Sequence, residues 1–183
     1  MQAAVQFVDG LPSPIRVRVW RFADEVEALT PWTFDAEVHR DAIRSMTASG
    51  GTALNKGLRL AAENLTTRTG ARAIVVFTDG SDSFRKEPID PVLTLCRQAE
   101  IPVHVVALQT RETNDALLQR IATTTEGTLQ LAARPEQLGE KFHSVSELFH
   151  RPVYRIRIED GRGDQPLTLR IAGLPMISIP ANP

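Results

Sequence analysis

The chain has 183 residues, 42% of them apolar and 23% charged, enough for a soluble domain with a sizeable buried core. A net charge of -1 gives no electrostatic reason to bind nucleic acid or an anionic membrane, and a single cysteine, Cys96, excludes an internal disulfide and a thiolate metal cluster. No run approaches the roughly 18 apolar residues of a membrane span, and no signal peptide is visible, so the sequence reads as soluble with its compartment unspecified.

In chain order, "MQAAVQFVDGL" places Ala4, Val5, Val8 and Leu11 at helical spacing, with Gly10 as its stop. "IRVRVWRFA" alternates, Ile15, Val17 and Val19 opposing Arg16 and Arg18, and "EVEALTPWT" follows through a tight turn at Asp24, which predicts an antiparallel pair. Arg16, Arg18 and Arg21 with Trp20 predict an exposed sheet face along which arginine stems lie. Residues 35–46 carry a helix signal with Asp35 as N-cap. "SGGTALNKGLRLAAENL" is a small-residue loop and then a helix whose apolar face is Leu54, Leu58, Ala61 and Leu65.

"RAIVVFTDG" is nearly continuous in apolar residues, as expected of a parallel strand covered on both sides. Asp90 as N-cap and Pro91 at the first helical position open the next helix, which carries Cys96 as a packing residue. "IPVHVVAL" is a further buried strand, "NDALLQRIATTTEG" a helix stopped at Gly127, and "TLQLA" a short strand. Leu138, Phe142, Val145 and Phe149 share one face of the helix that follows. "VYRIRIE" and "PLTLRIAG" then alternate around "DGRGDQ", predicting a solvent-faced hairpin added to a domain of residues 1–150, with a fraying tail after it. The alternation of strand and helix from Arg72 onward predicts an α/β fold, a mostly parallel sheet with helices on both faces.

In such sheets ligands sit beyond the carboxyl ends of the strands, and two polar loops reach that edge: "SGGT" before its helix and "TDGSDS" after its strand. Neither nucleotide cradle is present, because no G-x-G-x-x-G follows a strand and no G-x-x-x-x-G-K-[ST] occurs. Catalysis lacks a base beside a nucleophile. His104 alternates inside a buried strand as a core residue, His143 and His150 lie two turns apart on one helix, and there is no G-x-S-x-G elbow. A hydrolase using Asp79 would need a second carboxylate, for which Asp82 is the local candidate. What remains is oxygen chemistry at Ser49, Thr52, Asp79, Ser81, Asp82 and Ser83, the donor set of a hard cation such as Mg²⁺. Taken singly, Thr52 also reads as a helix N-cap, and Asp79 as a turn residue beside Gly80.

"GGTALNKGL" followed about 20 residues later by "IVVFTDG", behind "VRVWRFADEVEALTPWTFDAEVHRDAI", resembles the von Willebrand factor type A (VWA) family over residues 1–149. The resemblance implies a Rossmann-like fold and a non-catalytic protein-interaction or adhesion module. Its metal-ion-dependent adhesion site would here use the Thr52 hydroxyl and the Asp79 carboxylate to hold Mg²⁺. Gly50 and Gly51 would let the loop backbone approach the ion, and Ser49, Ser81, Asp82 and Ser83 would form the rim. The partner implied is a protein offering a carboxylate as the ion's missing ligand. The alternative is a VWA subunit partnering an ATPase- or chelatase-type machine.

The family's first strand and its Asp-x-Ser-x-Ser loop find no counterpart, since "MQAAVQFVDGL" corresponds to the end of the first helix. The degenerate site that remains would hold Mg²⁺ weakly or not at all. In the family that strand lies between the strands here at 15–23 and 72–78. These two must then pair with each other or leave backbone groups open, and three readings follow: a shortened start, a metal-free variant with a closed-up sheet, or a strand donated by another chain.

Overall fold

The computed structural model describes residues 1–47, 50–80, 87–150, 167–169 and 177–179. Two compact units divide the chain, Met1–Pro152 and Val153–Pro183. In the first, the order is α1 (Gln2–Asp9), β1 (Trp20–Phe22), β2 (Val26–Ala28), α2 (Ala36–Arg44), α3 (Leu54–Thr66), β3 (Ile74–Thr78), α4 (Ile89–Gln98), β4 (Val103–Leu108), α5 (Asp115–Thr124), β5 (Leu129–Ala132) and α6 (Leu138–Phe149).

β3, β4 and β5 form one parallel sheet in that order, with Ile74 opposite Val103 and Val105 opposite Leu129. β4 is central, and all but its last residue is buried, which is why its sequence shows no polar alternation apart from His104. Burial splits the core into two layers. Leu54, Leu58, Ala62 and Leu65 of α3 pack with Val92, Leu93 and Cys96 of α4, Leu118 and Ile121 of α5, and Ile74, Val76, Val103 and Val105 of the sheet. On the opposite face Phe142 and Val145 of α6 and Phe7 of α1 cover Val75, Val106 and Leu108. Each such leucine or isoleucine, fully buried, contributes about 1.5–3 kcal/mol. The α/β fold with helices on both faces of a parallel sheet is therefore as the apolar runs predict.

β1 and β2 are the antiparallel pair expected around Asp24, with Trp20 opposite Ala28 and Phe22 opposite Val26. They form a sheet of their own: the strands at 15–23 and 72–78 do not pair with each other. The arginine stripe is not one face. Arg18 stacks on Trp20 at 4.9 Å and donates to Asn64 Oδ1, whereas Arg21, one position out of phase, pairs with Glu27 at 2.7 Å.

Local starts follow sequence chemistry at α2 and α5 and depart from it at α4. Asp35 accepts the Glu37 N–H at 2.9 Å and opens α2, and Asn114 accepts the Leu117 N–H to open α5. α4, however, starts at Ile89 after an extended Pro88, so Asp90 lies in its first turn and is not the N-cap. Pro91 is tolerated there because the first-turn N–H groups have no intrahelical acceptor. In α3 the buried alanine is Ala62, with Ala61 only partly covered, because the helix is rotated by one position about its leucines.

After α5 the chain turns at Gly127 so closely onto β4 that a Cβ there would lie 1.9 Å from the Val103 carbonyl oxygen. In the second unit, β6 (Leu167–Leu169) pairs antiparallel with β7 (Ile177–Ile179). "PLTLRIAG" thus pairs forward with Ile177–Ile179, and its expected partner "VYRIRIE" lies outside the described residues.

Candidate functional site

The carboxyl ends of β1 and β3 meet one loop, residues 50–53, which leads into α3. Ala53 N–H donates to the Ala23 carbonyl at 3.0 Å, tying the loop to the hairpin turn. Asp24, in that turn, accepts the Gly51 N–H on Oδ1 at 2.6 Å. Gly50 has φ +78, and a Cβ on it would lie 2.3 Å from Asp24 Oδ2, so glycine is required there both by conformation and by space. Lys56, one turn into α3, pairs with Glu25 at 2.8 Å and holds the same two segments together.

From the other side, β3 ends in a turn closed on itself: Thr78 Oγ1 donates to the Gly80 carbonyl at 3.0 Å and lies 3.3 Å from the Gly80 N–H. Gly80 is buried against the first loop, its Cβ position 3.6 Å from Thr52 Oγ1. Asp79 itself is exposed, and its carbonyl is held from behind. Thr110 Oγ1 donates to that carbonyl at 2.8 Å, and Thr113 Oγ1 lies 3.2 Å from it. The turn's far end is fixed where Asn55 Nδ2 donates to the Glu87 carbonyl at 2.8 Å and Arg59 grips the Glu87 carboxylate at 2.9 and 3.1 Å. Those hydrogen bonds hold Glu87 below the ordinary carboxylate range.

Of the residues expected at the site, Gly50, Gly51, Thr52 and Asp79 are therefore brought to one rim; Ser49, Ser81, Asp82 and Ser83 lie outside the described residues. Thr52 does not cap α3. Ala53 is the N-cap position, without a side-chain cap. Three residues escaped the sequence reading: Asp24, Thr110 and Thr113. The signal for the threonines was available, since "QTRETN" follows β4 at the same edge as "TDG". Asp24 gave none beyond its place in a turn.

Among the described residues no three of His, Cys, Asp and Glu converge to hold a metal ion. The donors at hand, one carboxylate, one hydroxyl and Asp24 nearby, are hard oxygens that suit Mg²⁺ or Mn²⁺ in type and fall short in number. The histidines are elsewhere. His104 is buried, with Nδ1 3.1 Å from Thr128 Oγ1, and burial pushes its imidazole below 6.5. His143 and His150 flank Glu147 on α6 at 3.9 and 4.0 Å.

A parallel sheet between helix layers, with its polar loops gathered at the strands' carboxyl ends, defines a Rossmann-like domain. Residues 1–81 match the family model of the von Willebrand factor type A domain, and the fold of the described residues is that family's fold. A von Willebrand factor type A protein from Catenulispora acidiphila superposes with a TM-score of 0.71 at 18% identity, over 79% of this chain and 36% of that one. BatB, a conserved protein of Bacteroides thetaiotaomicron, gives 0.63 at 19% identity over 81% and 85%. Proximal thread matrix protein 1 of the mussel byssus, in a structure with a zinc-occupied MIDAS (metal-ion-dependent adhesion site) motif, gives 0.60 at 19% identity over 79% and 39%. The chain thus spans little more than a third of the Catenulispora and mussel proteins. No curated protein sequence matches it. Among the described residues no helix is long and apolar enough to cross a membrane.

Proposed function

We propose that this chain is a non-catalytic protein-interaction module whose rim, at the carboxyl ends of β1 and β3, binds a partner through a shared hard cation. Thr52 Oγ1 and the Asp79 carboxylate are the two donors this chain supplies by name; Mg²⁺ is the ion of choice, and a carboxylate from the partner completes its shell. The supporting observation is the contact of Gly80 with Thr52 Oγ1, which puts the exposed Asp79 turn against the Gly50–Gly51 loop. Two neutral-to-anionic donors leave the ion net positive and reluctantly dehydrated, so affinity without the partner is weak. Strand donation from another chain is a second mode of association on the same reading.

The test is calorimetric titration of Mg²⁺ and Mn²⁺ into the chain and into Asp79→Ala, with and without a millimolar carboxylate peptide. The reading expects ion binding that strengthens with the peptide and vanishes in Asp79→Ala. No heat under any of these conditions sinks the cation part. The alternative, a subunit of an ATPase- or chelatase-type machine, uses the same rim. It is distinguished by capture that depends on the partner's nucleotide state.

A further inference from the structure

We infer that one face of the β1–β2 hairpin, beside the carboxyl end of α3, is a second interaction surface, and that its occupant is an extended acidic segment of a partner protein. This surface is separate from the rim and does not depend on a cation there.

Alternation builds the face. Val17 and Thr33 bridge the segments that enter and leave the hairpin, so Arg16 and Arg18 on one fall beside Phe34 and Trp32 on the other. Trp20 follows Arg18 with the same period, whereas Arg21 is out of phase and turns to Glu27. Helix α3 closes one flank. Asn64 Oδ1 accepts from Trp32 Nε1 at 2.8 Å and from Arg18 Nη1 at 3.3 Å. Arg68, one turn beyond Asn64, lies over the Trp32 ring at 5.1 Å.

Three guanidiniums thus sit on three aromatic rings, Arg16 on Phe34 at 4.7 Å, Arg18 on Trp20 at 4.9 Å and Arg68 on Trp32. Stacking holds a guanidinium plane in place and leaves its N–H edge able to donate. The row lacks an anion. Among the described residues none of the three pairs with a carboxylate, whereas Arg21, Arg40 and Arg59 each do. The acidic side chains next to the row in sequence are engaged elsewhere: Arg59 holds Glu63 at 3.0 Å, and Asp35 accepts the Glu37 N–H. Arg18 spends Nε on the Thr30 carbonyl and Nη1 on Asn64. Arg16 and Arg68 make only their ring contacts among the described residues.

Charge and spacing select the occupant. Three cations without counter-charge, on a chain of net charge -1, suit a short anionic segment and not a long polyanion. Arg16 and Arg18 stand about 7 Å apart along an extended backbone, the spacing of carboxylates at alternate positions of a second extended chain. Nucleic acid fits less well, because base stacking needs open rings and each ring here already carries a guanidinium. Tryptophan and arginine are also the side chains that dominate protein–protein hot spots. Phe34, 54% exposed, ends the row with apolar surface for a residue flanking the acidic stretch.

Both tryptophans of the chain, Trp20 and Trp32, lie in this face, so indole fluorescence reads its occupancy. The probe is an acetylated, amidated peptide Asp-Ala-Asp-Ala-Asp-Ala-Asp, titrated into the full chain in EDTA. The same peptide with asparagine for aspartate is the control. Expected is a saturable change with the acidic peptide alone, weakened by rising salt and by about tenfold in the double variant Arg16→Gln, Arg68→Gln, whose fold is checked by circular dichroism. No saturable change up to millimolar peptide overturns the inference, as does an equal response to the control or full binding by the double variant. A thymidine oligonucleotide is titrated in parallel, and tighter binding of it overturns the inference by making nucleic acid the occupant. Because EDTA removes the cation, failure of the rim reading leaves this outcome untouched, and the converse holds.

Discussion

Substituting Gly50 by alanine should damage the rim by two separable routes, and the amount of each follows from the geometry. With φ +78 the loop backbone is in the left-handed region, where an L side chain costs about 1–2 kcal/mol. The new Cβ would sit 2.3 Å from Asp24 Oδ2 and 2.5 Å from its Cγ, so the carboxylate must swing away and release the Gly51 N–H it holds at 2.6 Å. A hydrogen bond to a charged group contributes about 1.5–3 kcal/mol, but Asp24 is exposed and solvent screening reduces this to about 1 kcal/mol. Fewer unfolded-state conformations for alanine offset about 0.4–1 kcal/mol. The net expectation is a loss of about 2 kcal/mol, a fall of about 4–8 °C in Tm for a chain of this size.

The decisive assay is a double-mutant cycle with Asp24→Ala, each variant unfolded in urea and followed by circular dichroism. With the carboxylate gone the alanine meets only backbone strain, so Gly50→Ala should cost about 1 kcal/mol less in that background. Equal cost in both backgrounds, within about 0.3 kcal/mol, would refute the claim that Asp24 rests on this loop.

Other outcomes follow from the same structure. Gly127→Ala drives a Cβ into the Val103 main chain, which cannot yield, and should cost more than about 3 kcal/mol or prevent folding; a thermal melt within 2–3 °C of the parent's, about 1 kcal/mol for a chain this size, contradicts that packing. Burial pushes the Cys96 thiol up to about 11, so iodoacetamide at pH 8 should label it only in denaturant, and rapid native labelling would show the α4 face to be open. For His104 the sign is fixed by burial: the folded imidazole sits below 6.5, the unfolded chain binds the proton first, and stability is complete above 6.5 and falls as pH drops below it. Urea midpoints at pH 7.5 and 5.5 should drop less for His104→Gln than for the parent, and an unchanged drop would place that pH dependence elsewhere.

The parallel sheet and its helices were legible because apolar runs of strand length alternate with helical periods, and local chemistry at Asp35 and Asn114 marked where helices begin. The approach of the Thr52 loop to the Gly80 turn was legible for a topological reason, both loops lying at one sheet edge. Where the reading slipped, two local rules competed. At α4 the preference for proline at the first helical position lost to Pro88, whose extended backbone starts the helix two residues earlier. In α3 a 3.6-residue period cannot separate Ala61 from Ala62 without knowing which strand the helix meets. Asp24 lies 27 residues from the amide it caps, a contact that no local pattern encodes.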